Sequence, residues 1–451
     1  MKKLNKFKIL SLIILLFCCC ITFCFAEEKK GYQSETDYAP FIKNPSSLGF
    51  VPDYSLFLSA LNQMQQKFIE NPTEQTLVNG INRELNVLFK TAKINQSANI
   101  SSLNTISSEI PSLSASTGIH VNLLWYAAIQ GLMAAMDDPF TLLLTPKDYR
   151  SLMEQMQAGT FGGIGVFIQQ DKSNGNNQLI VSETIEGTPA YKAGLLPDDV
   201  VIKINDEPTK TMPIDVAVAK MRGQVGTPVV LLIKRKTSDK LLKFTIVRES
   251  IKIHSVTCKL INNTVGYIRI RTFGDDTARE FAKAMNALES RNIRSLIIDL
   301  RNNGGGLINA AQDLCSYMLG AGKTVVSVSD RSGRKNYLKS HGVSDLKIPC
   351  IVLINKYTAS ASEITAGALQ DYGLAKLMGG KSYGKGSVQE LLPLRNGGAF
   401  KITVAHYFTP KNRNINKIGI MPDIKKEMDV TKVGRPGDIQ LQAAVEYLKN
   451  K

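Results

Sequence analysis

The sequence lacks the motifs on which metal-dependent and nucleotide-dependent enzymes rely. Its four histidines are isolated, with no H-E-x-x-H motif, which argues against catalytic zinc. Gly322-Lys323-Thr324 is similar to the end of a phosphate-binding loop, but Tyr317 stands where that loop requires its first glycine. G-x-S-x-G is also absent, so the sequence does not indicate a Ser-His-Asp triad of the α/β-hydrolase kind. We therefore expect neither a metal nor a cofactor.

Cysteine is scarce in most of the chain. Four of the seven cysteines lie within the first 26 residues, which leaves Cys258, Cys315 and Cys350. These three are widely spaced and form no C-x-x-C pair, which argues against a disulfide framework or a zinc knuckle. Each lies in an apolar stretch and is interpreted as a small buried hydrophobic residue rather than a catalytic thiol.

The first 26 residues have the charge and hydropathy pattern of an export signal. Four lysines precede an uncharged apolar run from Ile9 to Phe25, and Ala26 ends it just before two glutamates. We expect cleavage near Ala26 and a mature protein in the periplasm or at the extracytoplasmic face of the cell membrane. An uncleaved anchor is the alternative, since about 17 apolar residues are at the short end of what spans a bilayer. Lipidation at Cys18 or Cys24 is disfavoured because phenylalanine precedes each.

The positive charge of the chain is scattered. The formal net charge of +16 falls to about +12 when the four lysines of the signal are removed. No basic stripe with interleaved aromatic residues occurs, and no finger or helix-turn-helix spacing, so we expect no nucleic-acid partner. Attraction to an anionic envelope surface is consistent with this charge.

Hydrophobic periodicity predicts a mixed α/β, multidomain fold, and a chain of 451 residues is long enough for two or three units. Residues 27–158 form a helical region in which the Ser- and Asn-rich stretch 92–119 predicts a poorly ordered or inserted loop. Residues 159–249 have the period of two that is typical of strands, interrupted by one helix. Residues 250–451 alternate strands with helices, which indicates an α/β core and a last amphipathic helix.

A serine at a strand-to-helix turn is the first candidate catalytic residue. Ser360 lies in T-A-S-A-S-E, after the apolar run 350–354 and before a predicted helix. Free backbone N–H groups and the positive end of the helix dipole can stabilise an oxyanion at such a turn. Serine and threonine are also preferred as helix caps, so a capping role is the simpler interpretation of this hexapeptide alone.

A lysine between two glycines is the second candidate. A lysine can act as a general base at neutral pH only if its pKa falls by roughly 3 units from about 10.4, which burial can achieve. The apolar neighbours of Lys385, among them Tyr383 and Val388, could supply that burial. Gln389 lies on the same side of an extended strand and could orient the amine. A surface turn and a solvated strand residue are the alternatives.

Residues 352–389 resemble the catalytic segment of C-terminal processing peptidases, also called tail-specific proteases. The resemblance implies that Ser360 is the nucleophile, that Lys385 is its general base and that Gln389 supports the base. It also implies a protease core of the ClpP/crotonase-like kind.

A second match to this family begins at Asp299, where the run D-L-R-N-N-G-G-G resembles the D-L-R-x-N-x-G-G turn of the family. The resemblance implies an oxyanion hole made of the backbone N–H groups of Gly305, Gly306 and Ala361. A plain strand-to-helix connection is the alternative for such a glycine turn.

Residues 159–249 resemble a PDZ domain of the bacterial order. The run F-G-G-I-G-V at 161–166 is similar to its carboxylate-binding loop, which implies that Gly163, Ile164, Gly165 and Val166 grip a free C-terminus while the peptide adds a strand. Asp198 departs from the family pattern, which has glycine at this position of the turn.

The resemblance implies an ATP-independent serine endopeptidase that recognises exposed C-terminal tails of envelope proteins. A catalytically inactive PDZ scaffold and another kind of Ser-Lys hydrolase are the alternatives. Apolar helical faces without an evident partner predict a homodimer through the N-terminal and C-terminal helices, or contact with an envelope adaptor protein.

Overall fold

The computed structural model describes residues 36–156, 161–171, 178–185, 187–251 and 254–449. The predicted export signal lies outside these residues. Within them, we find no helix with the length and apolar character needed to cross a membrane. The described chain forms two compact units. The larger unit contains the described residues up to Met156 and those from Ser255 onward. The smaller unit contains the described residues that come between these two parts in the sequence.

Helices form the first part of the larger unit. They are α1 (Ala39–Lys43), α2 (Tyr54–Lys67), α3 (Glu74–Thr91), α4 (Ile106–Thr117), α5 (Val121–Ala134) and α6 (Pro146–Met156), with a 3-10 turn at Pro45–Leu48 and strand β1 (Leu142–Leu144) before α6. Asp53 caps α2 by accepting the N–H of Leu56. Helices α3 and α5 meet at Gly80 and Gly131, where a Cβ on either glycine would overlap the backbone of the other helix.

The prediction of a poorly ordered or inserted loop at 92–119 is wrong for its second half. Residues Ile106–Thr117 form α4, and the side chains of Ile106 and Ile110 are fully buried. The preceding segment is also held, because Asn82 of α3 bonds both the N–H and the C=O of Ile100. Serine favours caps and turns over helix interiors, but two buried isoleucines one turn apart supply tertiary packing that outweighs this preference.

The smaller unit is the β-rich module. Its strands are β2 (Phe161–Gly163), β3 (Val166–Asp171), β4 (Gln178–Thr184), β5 (Val200–Ile204), β6 (Glu207–Pro208), β7 (Pro228–Lys234), β8 (Leu242–Val247) and β9 (Glu249–Ile251), and its helices are α7 (Pro189–Lys192) and α8 (Ile214–Met221). The main sheet has the order β3-β4-β5-β7-β8. Its core contains the alternate residues Val229, Leu231 and Ile233 of β7, as a period of two requires.

The α/β core follows. Its strands are β10 (Val256–Ile261), β11 (Val265–Ile270), β12 (Ser295–Asp299), β13 (Thr324–Asp330), β14 (Lys335–Lys339), β15 (Cys350–Ile354), β16 (Lys376–Gly379), β17 (Ser387–Pro393), β18 (Ala399–Phe408) and β19 (Ile424–Lys425), and its helices are α9 (Thr277–Glu289), α10 (Ile308–Ser316), α11 (Ala361–Asp371) and α12 (Ile439–Lys449). One sheet has the order β10-β11-β12-β15-β16-β19, in which the strands from β11 onward are parallel. The other has the order β1-β18-β13-β14, with β17 paired to β18. The predicted mixed α/β, multidomain fold is confirmed.

Both faces of the parallel sheet are buried. In β12, Leu296 and Ile298 pack into the main core with α9, α10 and α11, whereas Ile297 packs against Val445 and Leu448 of α12. A strand covered on both faces has a continuous apolar sequence, which is why β12 and β15 show no alternation. Covering helices on either side therefore hold β12 and β15 in place.

The helical region and the α/β core share one unit, although the sequence pattern predicts them as separate regions with the module 159–249 between them in the chain. Strand β1 pairs antiparallel with β18, where Leu143 lies opposite Phe400. Phe400 and Ile402 are buried in the same core as the apolar faces of α2, α3 and α5. The apolar helical faces from which the sequence predicted a dimer are thus covered largely by other parts of the same chain.

One of the three cysteines outside the predicted signal differs from its prediction. Cys315 and Cys350 are buried, and burial raises the pKa of each thiol to about 12, so neither is a reactive thiolate. Cys258 is exposed. It lies on β10, the edge strand of its sheet, whose central residues face solvent.

Candidate active site

Two turns meet at one edge of the parallel sheet. Strands β12 and β15 are parallel neighbours, so the loops that follow them leave from the same edge. The hydroxyl of Thr358 donates to the Leu300 carbonyl at 2.8 Å, and the N–H of Ala359 donates to the Asn303 carbonyl at 3.0 Å. These bonds place the glycine turn after β12 beside the predicted nucleophile after β15.

Ser360 occupies a backbone conformation that few non-glycine residues adopt. Its φ is 55° and its ψ is −119°, and it immediately precedes α11. Such a conformation costs about 1–3 kcal/mol and persists only where the surroundings enforce it. Gly305 is part of those surroundings, since a Cβ there would lie 2.9 Å from the Ser360 Cβ and from the Ala361 nitrogen. The side chain of Ser360 is thereby set at a sharp strand-to-helix turn, a position from which a serine hydroxyl can act as a nucleophile.

The carboxylate of Glu363 joins the Ser360 turn to the Lys385 turn. It is fully buried on the first turn of α11. One oxygen accepts the N–H groups of Ser360 and Lys385, each at 2.9 Å. The other accepts the Ser382 hydroxyl at 2.6 Å and the Gly384 N–H at 2.8 Å. A single side chain therefore fixes the backbone of both predicted catalytic residues.

Burial raises the pKa of Glu363 to about 7, against the lowering effect of its four hydrogen bonds. A carboxylate whose folded-state pKa lies above its unfolded value stabilises the protein fully below the unfolded value, about 4.5, and loses that contribution as pH rises through about 7. The ionised form, which accepts all four donors, predominates only above that pH.

We expect Glu363 to make the free energy of unfolding pH-dependent. Between pH 4 and pH 8, the difference in this free energy between the wild-type protein and a Glu363→Gln variant falls by about 3 kcal/mol as pH rises. Urea titrations of both proteins at several pH values measure it. A difference that is constant or rises with pH contradicts the assignment, and Glu446→Gln, on the exposed face of α12, is the control.

Lys385 is buried at the end of the loop that leads into β17, with 3% of its surface exposed. Its Nζ lies 4.3 Å from the ring centroid of Phe140, and its carbonyl accepts the hydroxyl of Tyr407. Tyr407 is buried on β18, and burial raises the pKa of its phenol, which also hydrogen-bonds the Ser360 side chain. Tyr407 therefore contacts both predicted catalytic residues, a role that no motif in the sequence indicated.

Gln389 is buried on β17. Its Nε2 donates to the Ser387 hydroxyl at 2.9 Å and to the Thr403 hydroxyl at 3.2 Å. The Thr403 hydroxyl in turn donates to the carboxylate of Asp138 at 2.5 Å. These bonds fix the amide plane of Gln389, while support of the Lys385 amine by its oxygen stays a prediction.

Of the three predicted oxyanion-hole residues, Gly305 packs against Ser360, Gly306 follows it in the chain and Ala361 follows Ser360. Gly306 adopts a φ of 145°, and a Cβ there would overlap the Phe273 carbonyl, so only glycine fits. Ala361 is the first residue of α11, where backbone N–H groups have no partner within the helix. The N–H of Gly305 donates to the Asn303 side chain at 2.8 Å. Oxyanion binding by these groups stays a prediction, and in this conformation the N–H of Gly305 is already bonded.

A buried ion network fastens the glycine turn to the C-terminal segment. The Arg301 guanidinium donates to both oxygens of Asp299 and both oxygens of Asp438, and also to Gln440. Burial raises the pKa of Asp299, but the charge and hydrogen bonds of Arg301 outweigh it and hold that pKa below its ordinary value. The segment before α12 thus anchors the arginine that precedes the predicted oxyanion turn.

We expect Asp438→Ala to lower the free energy of unfolding by about 3–5 kcal/mol, because it leaves the buried Arg301 charge without one of its two carboxylate partners. Glu446→Ala is the matched control on α12, since its ion pair with Lys449 is exposed and should contribute less than about 1 kcal/mol. Urea denaturation measures both. Equal effects of the two substitutions would show that the network does not hold the C-terminal segment.

The predicted carboxylate-binding loop lies at the start of an edge strand in the smaller unit. Gly163 ends β2, Val166 begins β3, and Ile164 between them is buried. Gly165 has a φ of 80° and packs against Thr188, whose hydroxyl donates to its carbonyl at 3.2 Å. Because β3 is the first strand of the sheet, its outer edge can pair with an added peptide strand. Peptide binding by these four residues stays a prediction.

The turn before β5 keeps its shape without glycine. Asp198 adopts a φ of 70°, a left-handed conformation that aspartate tolerates better than most residues. The next residue, Asp199, is buried and accepts two hydrogen bonds from Arg235, each 2.7 Å long.

Comparisons with known proteins agree with this geometry. The model of peptidase family S41 matches residues 264–426, and a PDZ-domain model matches residues 180–235. The carboxyl-terminal-processing protease of Synechocystis sp. is 38% identical over 330 residues, which are 72% of this chain and 76% of that protein. The carboxy-terminal processing protease CtpA of Bacillus subtilis is 33% identical over 67% of this chain and 63% of that protein. The solved photosystem II D1 C-terminal processing protease is 26% identical, with a TM-score of 0.50, over 83% of this chain and 92% of that chain.

Proposed function

The chain belongs to the S41 family of carboxyl-terminal-processing serine peptidases and carries a PDZ domain, and from this premise we propose that it cleaves exposed C-terminal tails of envelope proteins without ATP. The observation that carries the mechanism is the Glu363 carboxylate, which accepts the backbone N–H groups of both Ser360 and Lys385 on one oxygen. The fold thereby holds together two residues that are 25 positions apart in the sequence.

The reaction proceeds through an acyl-enzyme. The neutral amine of Lys385 takes the proton of the Ser360 hydroxyl as Oγ attacks the carbonyl carbon of the substrate, and backbone N–H groups of Gly306 and Ala361 stabilise the oxyanion. The resulting ammonium gives its proton to the departing amine as the peptide bond breaks. Water then attacks the ester, with Lys385 again as the base, and releases the N-terminal part of the substrate with a new C-terminal carboxylate, while the proton returns to the Ser360 oxygen.

Tail recognition is assigned to the PDZ domain, where the loop at 163–166 meets the edge strand β3. We expect a tail peptide with a free carboxylate to be cut at least 10-fold faster, as kcat/KM, than the same peptide with an amidated end. Calorimetry of both peptides with a Ser360→Ala variant measures binding without cleavage. Equal binding and equal cleavage of the two peptides would exclude capture of the C-terminus, and binding by a wild-type protein that cleaves neither would favour the inactive PDZ scaffold.

Export is part of this proposal, with cleavage of the signal near Ala26. The mature protein, isolated from the producing cell, is then expected to begin at Glu27, and N-terminal sequencing tests this directly. An intact N-terminus on membrane-bound protein would instead indicate the uncleaved anchor.

A homodimer and an adaptor contact also stay proposals. The exposed apolar residues of the helical region that support such a contact are Val51, Tyr54 and Leu58, and Ile439 is exposed at the start of α12. Sedimentation of the wild-type protein and of a Leu58→Glu variant tests the proposed dimer. We expect the wild type to sediment as a dimer and the variant as a monomer. A wild-type monomer would exclude it.

A further inference from the structure

The structure assigns to Phe140 a positioning role for the general base Lys385. Its ring lies over the side-chain amine, with Nζ 4.3 Å from the ring centroid. Cations within about 6 Å of an aromatic centroid are attracted by the ring quadrupole. The inference rests on the proposed assignment of Lys385 as the base and adds a residue from the helical region, outside the family-model match, to the machinery that controls it.

Phe140 reaches the amine because its segment is fastened to the catalytic strands. Asp138 accepts the N–H of Phe140 at 3.2 Å and the hydroxyl of Thr141 at 2.6 Å. It also accepts the hydroxyl of Thr403 on β18, whose own N–H donates to the Thr141 hydroxyl at 3.0 Å. Since Gln389 of β17 donates to the same Thr403 hydroxyl, the segment 138–141 and the strand that follows the base belong to one hydrogen-bonded network.

The ring also lines a cavity beside the lysine turn. Phe140 lines a cavity of about 190 Å³ together with Tyr383 and Gly384 of the lysine turn. The side chain of Lys385 is buried, whereas Phe140 is half-buried and faces both the amine and this cavity. Leucine at 140 keeps an apolar side chain beside the amine but removes the flat ring that fixes its position.

Several other titratable groups face the Lys385 turn from the elements packed against it. They are Glu363 of α11, Tyr383 of the turn itself, His406 and Tyr407 of β18, and Asp138 and Lys417 at the cavity. Burial lowers the pKa of the His406 ring. A substitution at 140 replaces none of these groups.

The ring affects the reaction in two ways, through its quadrupole and through its shape, and each changes a different part of the pH–rate profile. The quadrupole favours the charged amine, so its loss moves the acid limb of the pH–rate profile to lower pH by about 0.5–1 unit. The shape of the ring fixes the amine, so its loss lowers the rate on the plateau. A residue that only filled space in the fold would produce neither a shift of the acid limb nor a loss specific to acylation.

The test is the second-order rate of fluorophosphonate labelling of Ser360 between pH 5 and pH 10, which needs no knowledge of the natural substrate. We expect Phe140→Leu to shift the acid limb downward by about 0.5–1 unit and to lower the plateau about 10-fold, and Phe140→Tyr to keep the wild-type limb. Phe57→Leu, at a fully buried ring in the helical core, is the matched control for lost packing and should not move the limb.

The outcomes separate this inference from the proposed mechanism. Labelling of the wild type but not of Ser360→Ala supports the mechanism, and an unshifted limb in Phe140→Leu then overturns the role of Phe140 alone. Absence of labelling in the wild type overturns both. If Phe140→Leu fails to fold, trifluorophenylalanine at position 140 keeps the shape and weakens the quadrupole, and an unshifted limb in that protein overturns the inference equally.

Discussion

Replacing Lys385 by methionine is expected to lower kcat/KM on a tail peptide by about 10⁴-fold or more, the size of effect seen when one member of a concerted nucleophile–base pair is lost. Methionine keeps the length and apolar stem of the side chain while removing the amine. Because lysine at this position is buried, its replacement by an apolar side chain of similar volume should leave the free energy of unfolding unchanged or higher.

Lys385→Arg separates a base from a structural cation. Arginine stays charged at any pH that the protein survives, so it cannot take a proton from Ser360. We expect this variant to be as inactive as Lys385→Met, whereas a purely structural cation would tolerate the change. Lys401→Met is the matched control, because Lys401 is a second buried lysine on the neighbouring strand β18, and its turnover should stay within a few-fold of the wild type. More than a tenth of wild-type turnover in either Lys385 variant contradicts its role as the base.

Replacing Glu363 by glutamine is expected to lower kcat by about 100- to 1000-fold with little change in KM for the tail peptide. A carboxylate accepts hydrogen bonds at both oxygens, and here one oxygen serves Ser360 and Lys385 while the other serves Ser382 and Gly384. The side chain of glutamine has one acceptor oxygen, and its amide NH2 group, which is a donor, faces the other pair of donors. Whichever way the amide lies, two buried donors lose their acceptor, at about 1–3 kcal/mol each.

The split between kcat and KM distinguishes positioning from general destabilisation. Rates are compared at a temperature where circular dichroism shows the variant to be folded, so that loss of structure does not enter. Glu390→Gln is the control on β17, because its carboxylate pairs with Lys67 at a partly exposed site. A Glu363→Gln enzyme with wild-type kcat would show that the shared carboxylate does not hold the dyad.

The parts of the fold that the sequence predicted are those in which local pattern and burial agree. Helices α2, α3 and α5 have apolar residues at helical spacing, and β12 and β15 are short continuous apolar runs between turn residues. Helix α4 was not predicted because its composition is typical of caps and turns. Its formation is explained by the burial of Ile106 and Ile110 in the folded chain. The pairing of β1 with β18 joins residues more than 250 positions apart, which no local pattern encodes.

The residues of the candidate site also differ in whether the sequence alone could predict them. Ser360, Lys385 and Gln389 were found through a motif, because their spacing is fixed within one segment of the chain. Glu363 was visible in the same segment, but its function depends on donors that arrive only when the turn at 382–385 folds beside α11. Phe140 and Tyr407 lie outside that segment and carry no polar pattern of their own, so only the folded chain brings them to the dyad.

Intact-mass spectrometry after fluorophosphonate treatment tests most directly whether Ser360 is a nucleophile activated by Lys385. We expect one adduct on the wild-type protein, mapped to the peptide that contains Ser360, and none on Ser360→Ala, Lys385→Met or Lys385→Arg under the same conditions. An adduct on another residue, or an adduct on Ser360 that forms at the wild-type rate without the lysine, would contradict this activation.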